Sequence, residues 1–139
     1  MPVWVRVPLE LQINVIYMKK EDFERIRQKE GDYRTGEYKG LKWEVKRHPT
    51  LLHLCGYVTL PKDASGFEFL KQECTYSEKD DEDNIVLGFD CAHYGMIVPG
   101  YLYMPNPNMF DEILKPGNIY WNMEMCINTI HRSIDNYLN

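Results

Sequence analysis

The central segment of the chain reads Ile85-Val86-Leu87-Gly88-Phe89-Asp90-Cys91-Ala92-His93-Tyr94-Gly95. Its apolar start predicts a β-strand, and its polar end predicts that the strand stops where functional residues commonly lie. Glycines at such positions permit a sharp turn or a close approach of neighbouring backbone. We therefore interpret residues 88–95 as a fold-defining strand end that forms one wall of a pocket.

The segments around this strand predict an α+β fold with a mainly antiparallel sheet. Leu41 to Lys46 alternates in polarity and Leu51 to Leu60 is rich in β-favouring residues, so the two are expected to form a hairpin around Pro49. A short amphipathic helix is predicted near residues 19–30. Apolar residues recur at helical spacing over 120–138 and predict a C-terminal helix packed on the sheet.

The remaining segments carry weaker patterns. Residues 2–7 and 11–17 are predicted to be extended, whereas 32–41 is predicted to be a loop. Residues 62–83 are predicted to be an irregular connection that ends in an exposed acidic loop. Residues 95–118 contain several prolines and glycines and predict a long ordered loop.

Composition restricts the classes of protein to which the chain can belong. Its 139 residues, 44% apolar and 27% charged, predict one globular domain over residues 1–139. No apolar run approaches the ~20 residues that span a bilayer, and the N-terminus lacks a signal-peptide pattern, so we expect a cytoplasmic protein. A net charge of −5 without basic clusters disfavours nucleic-acid binding. It would suit a basic protein partner, or it serves solubility alone.

The cysteines and histidines suggest a zinc site that strand geometry disfavours. The four cysteines are expected to be reduced and mostly buried. His53-x-Cys55 and Cys91-x-His93 would bring two imidazoles and two thiols together if their strands paired antiparallel. Structural zinc sites usually use turns with two to four intervening residues, so these residues are predicted to belong to the core and no metal is predicted.

Asp90 and His93 are the candidate catalytic residues. They could act as an orienting carboxylate and a general base, with Cys91 as a nucleophile. Alternation along a strand places Asp90 and Cys91 on opposite faces, and the members of a triad usually come from separate elements. We favour the alternative in which Asp90 caps a turn and His93 donates to a carbonyl.

The order of several motifs resembles a family of small uncharacterised proteins of bacteria and their phages. The resemblance covers about residues 40–138 and rests on His48-Pro49, His53 to Val58, Thr75-Tyr76, Gly88 to Gly95 and the helix after Tyr120. The family carries a Gly-Phe-Asp-Cys-Ala-His-x-Gly-Asp core, with Met96 replacing the final Asp here. Lys71-Gln72-Glu73 replaces the family's upstream His-Gly-Gly. The resemblance therefore implies a shared fold and pocket more than a shared reaction.

These patterns together predict a non-catalytic binding protein. We expect a phage-encoded anti-defence or accessory factor that engages a small polar, nucleotide-like ligand or a host protein, without a cofactor. One alternative is a small hydrolase or metal-dependent enzyme that uses Asp90 and His93. Another is a subunit of a larger assembly, which includes a homo-oligomer. The predicted ligand-binding residues are His53, Tyr57, Tyr76, Asp90, His93 and Tyr94.

Overall fold

A computed structural model describes residues 18–65, 75–93, 95–105 and 118–139, which group into two compact units. Unit one comprises the described parts of Met1–Gly31, His48–His53 and Cys91–Trp121, and unit two those of Asp32–Arg47, Leu54–Asp90 and Asn122–Asn139. The single domain expected for residues 1–139 stays a prediction. The extended segments predicted at 2–7 and 11–17 lie outside the described residues.

Unit two contains a five-stranded antiparallel sheet in the order β1-β2-β3-β5-β4. Together with the two helices described below, this sheet confirms the predicted α+β fold. The Leu41–Lys46 and Leu51–Leu60 segments pair antiparallel as predicted, as β2 and β3. The strands are β1 (Tyr33–Tyr38), β2 (Leu41–Arg47), β3 (Leu54–Leu60), β4 (Tyr76–Lys79) and β5 (Ile85–Asp90).

Two strands occupy segments that were predicted to be irregular. The prediction of a loop over residues 32–41 is wrong, because β1 in this segment pairs with β2. A two-residue turn at Lys39 and Gly40 joins the two strands. Both turn residues have positive φ, 49° and 85°, as the tightest hairpin turns require. The connection expected over 62–83 is likewise wrong at β4, which pairs with β5. The acidic loop is exposed as predicted, and Asp80 stabilises its turn by accepting from the N–H groups of Glu82 and Asn84.

One face of the sheet packs against helix α2 (Met123–Leu138). Asn122 caps the helix, with its side-chain oxygen accepting from the Met125 N–H at 2.9 Å. The helix confirms the predicted C-terminal helix, and its apolar side contributes buried residues at helical spacing. The buried residues of this face and helix include Trp43, Val45, Leu54, Val58, Leu60, Leu87, Met123, Cys126, Ile130 and Ile134.

Three glycines of the sheet each lie directly opposite an aromatic residue of the neighbouring strand. The aromatic ring occupies the space of the missing side chain, because a Cβ at any of the three would lie 2.5–2.8 Å from ring carbons. Cross-strand pairs of this kind fix strand register. The arrangement is reciprocal between β3 and β5. The Phe89 ring of β5 covers Gly56 on one face of the sheet, and the Tyr57 ring of β3 covers Gly88 on the other face. The pairs are Gly36 with Trp43, Gly56 with Phe89 and Gly88 with Tyr57.

Unit one is built around helix α1 (Lys20–Glu30), as predicted for residues near 19–30. Phe23 is fully buried, and its ring contacts the Tyr120 ring edge-on at 5.7 Å between centroids. A short 3-10 helix, Pro99–Tyr103, adds Leu102 to this core. No helix within the described ranges is long and apolar enough to cross a membrane.

Candidate functional site

The candidate site is the face of the sheet opposite α2, which we call the open face. Alternate residues of each strand point to this face, and the strand register aligns their side chains in rows across the sheet. Among the described residues of unit two, helix α2 packs on the other face. Its side chains are half-buried or exposed: Tyr33, Thr35, Glu37, Lys42, Glu44, Lys46, Cys55, Tyr57, Thr59, Val86, Asp90, Tyr76 and Glu78.

Tyr57 of the central strand β3 and Tyr76 of the edge strand β4 form an aromatic corner on the open face. Gly88 lies between them in the register, opposite Tyr57 on one side and Tyr76 on the other. The absence of a side chain at Gly88 lets the Tyr57 ring lie close to the β5 backbone. The two rings are nearly perpendicular, at 84°, with centroids 5.6 Å apart. The corner is therefore fixed by the strands that carry it.

Charged side chains border this aromatic corner. Lys46 Nζ lies 5.6 Å from the centroid of the Tyr57 ring and 3.2 Å from Glu44 Oε1. The Tyr33 hydroxyl donates to the other oxygen of Glu44 at 3.0 Å. The Glu44 carboxylate is thus oriented by two neighbours beside the Tyr57 ring.

Asp90 and Cys55 are directly paired at the end of the open face. Burial, and secondarily the Asp90 charge, raises the pKa of the Cys55 thiol from its ordinary 9.0 to about 11, although a hydrogen bond with Tyr57 acts in the opposite direction. Burial also raises the pKa of Tyr57 above its ordinary 10.0, as do the nearby Cys55, Glu44 and Asp90. At neutral pH both groups are therefore uncharged, and the negative charge here comes from carboxylates.

Three of the predicted ligand-binding residues lie together on the open face: Tyr57, Tyr76 and Asp90. His53 and His93 belong to unit one, whereas Asp90 is the last residue of its strand in unit two. His93 is exposed, and its carbonyl accepts from the Met96 N–H at 2.9 Å. Tyr94 lies outside the described residues.

His53 is part of a compact turn in unit one. It is only 4% exposed, and its ring stacks on the His48 ring at 5.0 Å between centroids. His48 Nδ1 accepts from the N–H groups of Thr50 and Leu51 at 3.2 and 3.0 Å. The Gly100 N–H donates to the Leu51 carbonyl at 2.7 Å and holds the turn from outside. These contacts give the His48-Pro49 motif a structural role in closing the turn before β3.

The Cys/His zinc set considered from the sequence is divided between the units. His53, Cys91 and His93 belong to unit one and Cys55 to unit two. Across the described ranges, no group of three or more His, Cys, Asp or Glu side chains could hold a metal ion. Among the described cysteines, Cys55, Cys91 and Cys126 are free thiols, and Cys91 and Cys126 are buried. Cys74 lies outside the described residues, and the reduced state stays a prediction.

The sequence interpretation missed Tyr33, Glu44 and Lys46 as members of the site. Alternation along β2 was visible and would have placed Glu44 and Lys46 on one face. Their position beside Tyr57 depends on the β2–β3 register, which pairs Glu44 with Tyr57 and Lys46 with Cys55. Tyr33 was missed because its strand was predicted to be a loop.

Comparisons with protein-family models, with curated proteins and with solved structures found no match for this chain. The site is therefore interpreted from its own geometry.

Proposed function

We propose that this chain is a non-catalytic binding protein whose recognition surface is the open face. The observation that carries the proposal is the Tyr57–Tyr76 corner, held over Gly88 and bordered by Glu44 and Lys46. Tyrosine rings offer a large contact area at low entropic cost, together with a hydroxyl for hydrogen bonding. Their positions on sheet strands keep them in place before a partner arrives.

The chemistry of Cys55 argues against a role for this thiol as a nucleophile. A reactive cysteine needs a lowered pKa, usually from a nearby positive charge or an adjacent base. The Cys55 pKa is instead raised to about 11 by burial and by the Asp90 carboxylate. The thiol is therefore protonated at neutral pH and is a weak nucleophile.

The extent of the open face favours a host protein over a small polar ligand. Small-molecule sites are usually concave and enclose most of their ligand, whereas this surface spans the strands of a sheet. Tyr33 and Tyr76 are 55% and 41% exposed, which suits contact with a second macromolecular surface. This role is in keeping with a phage-encoded anti-defence or accessory factor.

A retention experiment with matched variants tests this proposal. Immobilised wild-type protein is incubated with cell extract, and retained proteins are identified by mass spectrometry. Tyr76→Ser alters the open face, whereas Tyr103→Ser alters a tyrosine of similar exposure (40%) in unit one. We expect one identified protein to be retained by the wild type and Tyr103→Ser and lost with Tyr76→Ser.

Two results would contradict the proposal. The first is a retained protein that binds Tyr76→Ser as well as it binds the wild type, because the open face would then not be the binding surface. The second is phosphoester hydrolysis by the purified protein that disappears in both Asp90→Asn and His93→Ala. That result would establish the hydrolase alternative.

A further inference from the structure

We propose that the Tyr57–Tyr76 corner binds a guanidinium group, so that the protein partner presents an arginine-bearing basic segment. This inference rests on the proposed function of the open face and specifies the chemistry of the partner. Three features of the open face support it: the geometry of the Tyr57 and Tyr76 rings, the Lys46 ammonium beside Tyr57, and the excess of carboxylates on the face.

The corner has the geometry that planar cations occupy on aromatic surfaces. Two rings at 84° with centroids 5.6 Å apart provide two adjoining walls. A cation within about 6 Å of a ring centroid is attracted by the negative face of the ring. A guanidinium can lie flat on one ring while its edge meets the other, and it retains in-plane N–H donors for a carboxylate. Glu44 is paired with Tyr57 on the side away from Tyr76, so it provides a carboxylate beside the Tyr57 ring at the border of the corner.

Lys46 already places a cation beside this corner. Its ammonium group lies 5.6 Å from the Tyr57 centroid and 3.2 Å from Glu44 Oε1. The Lys46 side chain is 53% exposed and that of Glu44 33%, so water competes with both contacts. Exposed ion pairs and exposed cation–π contacts are weak. A partner's guanidinium can therefore displace the Lys46 ammonium.

The charges of the open face select a positive partner. The carboxylates of Glu37, Glu44, Glu78 and Asp90 outnumber the ammonium groups of Lys42 and Lys46 on this face. The exposed residues Asp80 to Asp83 extend the negative charge beyond the end of β4. Arginine suits this surface better than lysine, because its weakly hydrated planar head stacks on rings and binds a carboxylate through two parallel hydrogen bonds.

The test uses defined peptides in place of the unidentified partner. Hexa-arginine, hexa-lysine and hexa-glutamate peptides are titrated into the 15N-labelled protein in 0.15 M salt, and amide shifts give both location and affinity. We expect hexa-arginine to bind most tightly and to shift Tyr57, Tyr76 and Gly88. Tyr76→Ser should weaken this binding about two- to five-fold, the range for an exposed cation–π contact.

Lys46→Ala gives the sharpest test, because it should strengthen hexa-arginine binding by a similar two- to five-fold. Lys20→Ala is the matched control: it removes the same charge from another cation–π pair, with Tyr103 in unit one. It should leave the affinity of the corner unchanged. Circular dichroism confirms that each variant is folded.

Equal affinity for hexa-arginine and hexa-lysine would overturn the guanidinium assignment, and so would unchanged or weaker binding by Lys46→Ala. Shifts confined to other surfaces would overturn it as well. If these results occur while Tyr76→Ser still abolishes retention of an identified protein, the proposed function stands and only this inference fails. If Tyr76→Ser also leaves retention intact, both fail.

Discussion

Replacing Gly88 by alanine should destabilise the protein mainly through its contact with the Tyr57 ring. The new Cβ would lie 2.6 and 2.8 Å from ring carbons Cδ1 and Cε1, and 3.1 Å from the Gly56 carbonyl oxygen. Overpacking of this kind typically costs about 1–3 kcal/mol. A glycine-to-alanine change recovers about 0.4–1 kcal/mol by restricting the unfolded chain. We therefore expect a net loss of about 1.3 kcal/mol from the mid-values of the two ranges, and of about 2.6 kcal/mol at most.

A double-mutant cycle with Tyr57→Ala identifies the source of this loss. Without the ring, only the 3.1 Å approach to the Gly56 carbonyl oxygen remains, so Gly88→Ala should cost at least about 1 kcal/mol less. That difference is the coupling free energy between the two residues. Urea unfolding gives the free energy of unfolding of the wild type, of both single variants and of the double variant. A cost of Gly88→Ala that is equally large in the wild-type and Tyr57→Ala backgrounds would refute the assignment of this cost to the ring.

Gly56→Ala provides an internal comparison on the other face of the same strand pair. Its Cβ would lie 2.5 Å from the Phe89 ring and 3.3 Å from Ile130 Cδ1. Phe89 and Tyr57 are both half-buried, but the Cβ at Gly56 would come closer to its ring and would also meet Ile130 of α2, which is fully buried. The loss at Gly56 should therefore exceed the loss at Gly88 in the same urea experiment.

Three further predictions address single groups. Asn122→Ala should cost about 1 kcal/mol in urea unfolding because α2 loses its N-cap, whereas Asn122→Ser should retain most of the stability. The hydrogen bond from Lys39 holds the pKa of Asp135 below its ordinary 3.8, so this pair stabilises the fold above that pH. Melting temperature should then fall more steeply for the wild type than for Asp135→Asn between about pH 4 and pH 2, and parallel curves would contradict the pairing. Burial raises the pKa of the Cys55 thiol from its ordinary 9.0 to about 11. Because the folded protein favours the protonated thiol, the contribution of Cys55 to the free energy of unfolding is fully present below pH 9.0 and is lost as the pH rises toward 11. The difference in thiolate absorbance between the wild type and Cys55→Ser should have its midpoint near that value, and a midpoint near 9 would contradict the burial of Cys55.

Much of the sheet could be predicted from local sequence pattern. Strand β2 and helix α2 each bury one face, so apolar residues alternate along β2 and recur at helical spacing along α2. Both elements lie where these patterns predicted them. β1 was missed because Gly36 weakens its β pattern and because its burial is low. The signal available was the pair of Gly36 and Trp43 around a two-residue turn, which is visible only when the two segments are aligned as a hairpin.

The candidate site was only partly predictable, because it depends on register. Tyr57, Tyr76 and Asp90 were predicted to bind a ligand, and the structure places them on one face of the sheet. Their ligand-binding role stays a prediction. His53 is next but one to Cys55 in the chain, yet it lies before the strand begins and is buried in a turn. Glu44 carries no motif of its own and joins the site only through its pairing with Tyr57. Such cross-strand neighbours follow from three-dimensional pairing and not from spacing along the chain.

The location of the binding surface is tested most directly by a pair of amide NMR spectra of the 15N-labelled protein, recorded without and with the identified partner. We expect the largest changes in amide chemical shift at Tyr57, Tyr76 and Gly88, and little change in the signals of α2. Shifts concentrated on α2 or in unit one, with these three signals unchanged, would contradict the assignment of the open face as the recognition surface.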